Sequence, residues 1–162
     1  YGTAFANAPF GAGVGSTAAN PRGVATSTNN FGIQANYRVF PWLAISGWGL
    51  YTQAIAENGR GLATVNTGDK ANIWSWAVGL AFPDLFKKGN LGGIIFGQTP
   101  RVTSSDFGPP VLGLTTARRE DEDASYHIEA LYRFQVTSNI SITPGFFVIL
   151  NPEGNSNNDP LY

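Results

Sequence analysis

The sequence predicts an all-β fold, an antiparallel sheet of the kind that closes into a transmembrane β-barrel. Three observations support this prediction. Segments of about ten residues alternate apolar and polar side chains, with the period of two that a β-strand imposes. Short and long connections alternate between these segments, as they do in membrane barrels. Only 13% of the 162 residues are Asp, Glu, Lys or Arg, about half the roughly 25% typical of soluble domains.

The composition excludes several classes of function. The chain has no Cys and one His, which excludes disulfides, thiolate metal sites and multi-histidine metal sites. A net charge of -1 gives no basic surface for nucleic acid. No run of 18 apolar residues occurs, so a transmembrane helix is excluded. We expect no cofactor, no metal site and no nucleic-acid partner.

The first half of the chain is predicted to contain a loop and two strands. Residues 1–30, rich in Gly, Ala and Asn, are expected to form a loop with a possible partial strand. A strand over 31–40 follows, and a tight turn at Pro41 and Trp42 leads to a second strand over 43–56. The facing of the second strand is ambiguous, because Ile45 and Trp48 fall on opposite parities.

Four further strands are predicted over 72–82, 91–99, 124–136 and 140–150. In the first of these, bulky residues share one parity while Ser75, Ala77, Gly79 and Ala81 share the other. Short turns lie at 83–90 and 137–139, and long loops lie at 57–70, 100–123 and 151–162. Residues 31–162 therefore read as about six strands of one sheet. The mixed-charge loop 100–123 is long enough to fold inward and narrow a channel.

The two faces of such strands predict two environments. A tilted strand needs about 9–11 residues to cross a bilayer, and an open edge in lipid leaves costly unpaired backbone groups, so the sheet must close. The polar parities are expected to line a wet channel: Gln34, Asn36, Arg38, His127, Glu129, Arg133 and Gln135. The apolar parities are expected to face lipid or form an aromatic girdle, meaning a band of rings at the membrane boundary: Trp42, Trp74, Trp76, Tyr126, Tyr132 and Phe134. The alternative for these rings is a soluble core.

Two clusters of titratable residues have weaker functional interpretations. His127 and Glu129 lie two positions apart on one strand face, suitable for a hydrogen bond, but no nucleophile completes a catalytic set. The acidic run at 120–123 could hold calcium. It lacks the alternating spacing of an EF-hand loop, so a solvated or internally paired loop is favoured. We therefore expect no enzymatic activity.

Several unusual segments resemble one known family. Residues 81–93, AFPDLFKKGNLGG, look like the hairpin between the third and fourth strands of cyanobacterial Som-type porins. Residues 125–134, 140–146 and 151–159 are similar to the penultimate strand region and the last long loop of that family. These proteins are also described as iron uptake porins and are grouped with OprB-like carbohydrate-selective porins. The resemblance covers residues 31–162.

The resemblance implies a C-terminal portion of a longer outer-membrane barrel. Members have about sixteen strands, are often trimeric, and carry an N-terminal SLH domain that binds the cell wall. That domain and the final strand are expected to lie outside this sequence. The implied function is passive diffusion of small hydrophilic solutes, either inorganic ions including iron or sugars. The open alternatives are a soluble β-sandwich binding module (lectin- or adhesin-like), a barrel enzyme such as a lipase, and an outer-membrane adhesin with a plugged lumen.

Overall fold

A computed structural model describes residues 25–59, 65–108 and 120–162 as one antiparallel sheet of seven strands. Its order is β1-β2-β3-β4-β5, and both β6 and β7 pair with β5. The strands are β1 (Thr26–Phe40), β2 (Leu43–Ala56), β3 (Lys70–Pro83), β4 (Leu91–Ser105), β5 (Tyr126–Gln135), β6 (Ser141–Ile142) and β7 (Gly145–Leu150). The predicted all-β antiparallel class is confirmed. In the described ranges, no helix has the length and apolar character needed to cross a membrane.

β1 and β4 extend further than the sequence pattern predicts, whereas β5 spans Tyr126–Gln135 rather than 124–136. β1 begins at Thr26 rather than at residue 31, and β4 continues to Ser105 rather than ending at 99. Backbone pairing explains both extensions, because Thr26 pairs with Ala56 and Ser105 pairs with Ala71. The polar residues in these extensions hide the alternation from the sequence. The predicted loop at 1–30 lies mostly outside the described residues.

A proline divides the predicted sixth strand into β6 and β7. Ile142 pairs with Phe134 and Gly145 pairs with Leu131, so one register continues through the interruption. Pro144 accepts a hydrogen bond from the Tyr132 amide at 3.0 Å but has no N–H to return one. The sheet is therefore continuous here, although its ladder of hydrogen bonds is not.

The described sheet is open. One long side of β1 has no strand beside it within the described ranges. At the other edge, Leu161 pairs with Ile149 of β7 through two backbone hydrogen bonds of 2.8 and 3.0 Å. The described residues form one layer, without a second sheet against either side. Closure into a barrel is not observed in this part of the chain.

The register places most of the exposed large apolar side chains of the long strands on one side, which we call the apolar face. Directly opposed residues of an antiparallel pair point to the same side. One such row is Ile33, Gly49, Trp76 and Gln98, and another is Tyr37, Ile45, Leu80, Ile94 and Ala130. Many side chains of this face are exposed, including Ile33 at 78% and Tyr37 at 70%. The opposite side, which carries Gln34 and His127, is called the polar face.

The turn between β3 and β4 is held by side chains. The Asp84 carboxylate accepts a hydrogen bond from the Gly89 amide at 2.7 Å. Asn90, 3% exposed, donates to the Tyr132 hydroxyl at 2.6 Å and accepts from the Gln135 amide at 2.9 Å. This turn is therefore joined firmly to β5, two strands further along the sheet from β3.

Close contact between β3 and β4 depends on Gly97. A Cβ atom at this position would lie 2.5 Å from the Trp76 carbonyl oxygen and 2.7 Å from the Ala77 Cβ. We predict that Gly97→Ala lowers the free energy of unfolding by about 1–3 kcal/mol, the usual cost of overpacking. The measurement is denaturant unfolding followed by far-UV circular dichroism.

The matched control for this prediction is Gly49→Ala on β2. A Cβ atom at Gly49 has no neighbour within 4 Å. We therefore expect this variant to have the same free energy of unfolding as the wild type, or a slightly higher one. Equal losses of unfolding free energy in the two variants would show that β3 and β4 do not require a residue without a Cβ atom at position 97.

Candidate functional site

The polar face gathers residues from five strands into aligned rows. One row of directly opposed residues crosses the sheet: Gln34, Trp48, Ala77, Gly97 and His127. The next row, closer to the short turns, is Asn36, Ser46, Gly79, Ile95 and Glu129. Bulky or polar residues stand at both ends of the first row, with two small residues between them. The row therefore outlines a depression rather than a flat surface.

The residues predicted to line a channel lie on this face but in two separate groups. Gln34, Asn36 and Arg38 are exposed on β1. The other group lies on β5 and consists of His127, Glu129, Arg133 and Gln135. Four strand spacings of about 4.8 Å, or roughly 19 Å, separate the two groups. The structure thus places all seven on one side without bringing them into a single cluster.

Trp48 occupies the space between these two groups. The sequence leaves its facing open, and the register with Gln34 and Ala77 places it on the polar face. Its side chain is 46% exposed. Sequence reasoning missed Trp48 as a site residue, because β2 carries glycines at 47 and 49 and shows no clear alternation. Only the pairing with its neighbours determines where this indole points.

His127, Glu129 and Phe147 form a compact group at the other side of the depression. The His127 Nε2 atom lies 3.2 Å from Glu129 Oε2, within hydrogen-bonding distance. The His127 ring stacks on the Phe147 ring with centroids 5.9 Å apart and planes inclined by 22°. The expected His127–Glu129 hydrogen bond is therefore present. Stacking and hydrogen bonding together hold the imidazole in one orientation.

An open hollow of about 430 Å³ lies between Trp48 and the His127–Glu129 pair; we call it the central hollow. Three small residues, Ser75, Ala77 and Gly97, are among those that line it, and Ser75 and Gly97 are buried. Ser75 is 1% exposed, and its Oγ atom has no hydrogen-bond partner among the described residues. The hollow therefore has an aromatic wall and a polar wall, and the Ser75 hydroxyl beside it is buried from solvent.

The described parts of two long connections contribute side chains to a buried cluster at the end of the sheet opposite the short turns. Seven buried apolar residues form a cluster there, the loop-end cluster: Ala54, Ala56, Val65, Ala71, Ile73, Val102 and Phe107. The register places Ala54, Ile73 and Val102 on the polar face. Val65 and Phe107 come from the two connections and are 3% and 4% exposed. Burying these two side chains attaches the described residues beside them to the polar face.

The acidic segment at 120–123 is held by backbone amides. Asp121 Oδ2 accepts from the Val102 amide at 2.6 Å, and Glu120 Oε1 accepts from the Ser105 amide at 3.1 Å. Asp123 Oδ2 accepts from the Ser156 amide at 2.9 Å. This arrangement is the internally paired loop favoured over a calcium site. Across ranges 25–59, 65–108 and 120–162, no group of three or more His, Asp or Glu side chains could hold a metal ion.

Aromatic side chains concentrate near both ends of the apolar face. Towards the long connections, Phe31 stacks on Tyr51 at 6.4 Å, and Tyr51 contacts Trp74 at 4.9 Å between centroids. Further contacts join Trp76 to Phe96 and Phe96 to Tyr126. Near the short turns, Trp42 stacks on Phe40, Tyr132 contacts Phe86, and the Lys87 ammonium lies 5.3 Å above the Phe134 ring. Of the residues predicted to face lipid or form a girdle, Trp74 lies towards the long connections and Trp42, Tyr132 and Phe134 lie near the short turns. Trp76 and Tyr126 share a row with Gln98, nearer the middle of the sheet.

Comparison with known proteins gives one family and two relatives. The family model "Carbohydrate-selective porin, OprB family" matches residues 1–162. Uncharacterized protein sll0772 of Synechocystis sp. is 42% identical over 170 residues, covering 96% of this chain and 29% of the relative. Uncharacterized protein alr4550 of Nostoc sp. is 32% identical over 151 residues, covering 92% of this chain and 23% of the relative. The chain spans about a quarter of the length of these relatives. No solved structure matches it significantly.

Phe107 should control how firmly its connection lies on the polar face. Replacing this buried ring with alanine removes a large apolar contact, which costs about 3–5 kcal/mol in cores. We predict that Phe107→Ala speeds amide hydrogen exchange around residues 106–108 while β3 stays protected. Phe86→Ala is the control, because Phe86 is 90% exposed. Unchanged exchange in Phe107→Ala would contradict the assigned role.

Proposed function

The chain belongs to the carbohydrate-selective porin, OprB family, and from this membership we propose that it forms part of the wall of an outer-membrane channel. Small hydrophilic solutes would diffuse passively through a water-filled lumen. The polar face would line that lumen, and the apolar face would contact the hydrocarbon of the bilayer. The protein would act as a channel and not as an enzyme.

The observation that carries this proposal is the division of one sheet into two unlike faces. Large apolar side chains lie exposed on one side of the sheet, among them Ile33, Phe31 and Tyr37. Contiguous exposed apolar side chains mark an interaction surface, so this side needs an apolar neighbour. In a membrane barrel, alternate residues meet lipid and water along each strand. The same alternation also explains the modest mean hydropathy of -0.08.

The dimensions of the apolar face suit a bilayer. Trp74 and Phe82 lie eight residues apart on β3 near the two aromatic bands, which is about 27 Å at ~3.4 Å per residue. A strand tilt of about 40° reduces this to a height of about 21 Å, close to the ~25 Å band of outer-membrane barrels. The bands containing Trp42, Trp74 and Tyr132 would then lie at the two membrane boundaries.

Closure would be completed by strands beyond those described. Outer-membrane barrels have at least about eight strands, and the likeness to Som-type porins implies about sixteen. The open edge of β1 and the pairing of Leu161 with β7 are compatible with further strands on both sides. By the same resemblance, the complete protein would be a homotrimer with an SLH domain that binds the cell wall.

The proposed solutes are carbohydrates and small inorganic ions, iron included as transported cargo. The family description supports sugars, while the ions follow from the likeness to Som-type porins. Polar residues of both signs on the proposed lumen face, among them Arg38, Glu129 and Arg133, would avoid strong charge selectivity. Such a channel would pass neutral and charged solutes.

A soluble β-sandwich module, lectin- or adhesin-like, is less well supported. It would pack Tyr126, Ile128 and Phe134 against a second layer about 10 Å away. The described ranges contain one layer, and Ile128 and Phe134 remain 38% and 39% exposed. A conducting channel and an adhesin with a plugged lumen are distinguished by conductance.

The direct test is reconstitution of the full-length protein into planar bilayers and liposomes. Discrete ohmic conductance steps in KCl, together with sugar-driven swelling of the liposomes, are expected of an open diffusive pore. Boiling before electrophoresis should also shift the gel mobility of the protein. A detergent-independent protein without conductance would reject the proposal.

The connection between β4 and β5 should narrow the proposed channel. The burial of Phe107 in the loop-end cluster holds part of this connection over the polar face. We predict that shortening the connection between Ser105 and Glu120 raises single-channel conductance, because the lumen loses an obstruction. Phe86→Ala on a short turn serves as the control and should leave conductance unchanged. Equal conductance in wild type and shortened protein would count against a constriction here.

A further inference from the structure

We propose that the turn between β3 and β4 binds the headgroup of an anionic phospholipid through Lys87 and Lys88. This inference rests on the proposed function, because it takes the apolar face as the side that meets lipid, and it adds a defined contact with one class of lipid. The headgroup phosphate would accept hydrogen bonds from the two ammonium groups, and the acyl chains would pack on the aromatic rings around the turn. Three features support it: the position of Lys87, the exposure of the turn and the distribution of charge.

The Lys87 ammonium lies beside exposed apolar side chains of the apolar face. Its Nζ atom is 5.3 Å from the centre of the Phe134 ring, an arrangement in which the ring attracts the cation. Phe134 is directly opposed by Ile142 of β6, and the two side chains are 39% and 60% exposed. Lys87 is itself exposed. An accessible positive charge set in an apolar surface fits a ligand that is part anion and part hydrocarbon.

The same turn displays Phe86, which at 90% is the most exposed large apolar side chain in the described ranges. Its backbone φ is 62° and that of Asp84 is 58°, in the left-handed region that residues other than glycine adopt rarely. The Tyr132 hydroxyl donates to the Leu85 carbonyl at 3.1 Å and holds the backbone in this conformation. Backbone outliers that the surrounding structure maintains cluster at functional sites, which indicates a function for the tip of this turn.

A bilayer surface would satisfy the ring and the charges together. Where hydrocarbon meets the headgroups, an aromatic ring contacts acyl chains while a lysine extends its ammonium group to the phosphates. Lys87 and Lys88 follow Phe86 directly in the sequence, so both kinds of side chain leave the backbone at neighbouring positions. On another short turn, the stacked pair of Phe40 and Trp42 supplies further rings at this end of the sheet.

The distribution of charge favours an anion at this end of the sheet. Within the described ranges, neither Lys87 nor Lys88 forms an ion pair. Asp84 is the one acidic residue in the short turns, and its carboxylate accepts a hydrogen bond from the Gly89 amide. The acidic segment at 120–123 belongs to the opposite end, where its carboxylates accept from amides of β4. Both ammonium groups are therefore available to an anion from outside the sheet.

Native mass spectrometry of the full-length protein in detergent tests the site without requiring conductance. Titration with phosphatidylglycerol, which is anionic, and with phosphatidylcholine, which has no net charge, gives the Kd of the first lipid bound per chain. We expect phosphatidylglycerol to bind more tightly. Lys87→Gln should raise the Kd of phosphatidylglycerol about fivefold, or roughly 1 kcal/mol, the usual contribution of one lysine near an anionic lipid surface. The Kd of phosphatidylcholine should not change.

Three further variants separate the effect of charge from that of structure. Lys87→Arg keeps a permanent positive charge and should keep the Kd of phosphatidylglycerol within about twofold of the wild type. Adding Lys88→Gln to Lys87→Gln should raise this Kd by a further factor of about five. The matched control is Lys70→Gln, which removes the same charge from an exposed lysine at the opposite end of β3 and should leave the Kd unchanged. All three lysines are exposed, so each variant should fold.

The outcomes separate this inference from the proposed function. Conductance without a preference for phosphatidylglycerol overturns the lipid site and leaves the channel intact. Binding that depends on Lys87 in a protein without conductance supports the lipid site and rejects the diffusive channel. Equal Kd values of phosphatidylglycerol for Lys87→Gln and Lys70→Gln overturn the assignment to this turn. Displacement of the lipid by an equal concentration of glycerol phosphate would show that a soluble anion suffices, and would overturn phospholipid as the ligand.

Discussion

The structure depends on one constraint: each long strand turns most of its exposed large apolar side chains to the same side of one antiparallel sheet. Antiparallel register enforces this arrangement, because opposed residues share a face and a slip by one residue would reverse it. Ile33, Trp76 and Ile128 consequently lie on one side, while Gln34, Trp48 and His127 lie on the other. In the proposed channel, lipid would meet the first side and water the second.

The sequence was sufficient for the elements with regular alternation. In β5 and β3, bulky and small or polar residues alternate so clearly that the facing follows from the period of two, and the predicted ends lie within two residues of those observed. β2 was different, because Gly47 and Gly49 stand on the apolar face without marking it. The facing of Trp48 is therefore a property of the pairing with β1 and β3, which local sequence does not encode.

Tertiary contacts account for the other features that the pattern did not predict. Val65 and Phe107 are single apolar residues in polar connections, and their burial depends on partners from β2, β3 and β4. The central hollow likewise joins Trp48 to Glu129 across strands distant in sequence. The small residues of β3 are evident in the sequence, but only the pairing of β2, β3, β4 and β5 shows that they lie between Trp48 and His127. One end of the polar face is thus covered at the loop-end cluster, and the central hollow further along it is open.

The two-faced sheet is tested most directly by the accessibility of neighbouring residues on one strand. The chain contains no cysteine, so single cysteines at Ile33, Gln34, His127 and Ile128 can each carry a spin label in the full-length protein reconstituted into bilayers. The account predicts that labels at 33 and 128 collide mainly with oxygen dissolved in lipid, and labels at 34 and 127 with a water-soluble nickel complex. Equal access of the nickel complex to all four positions would contradict it.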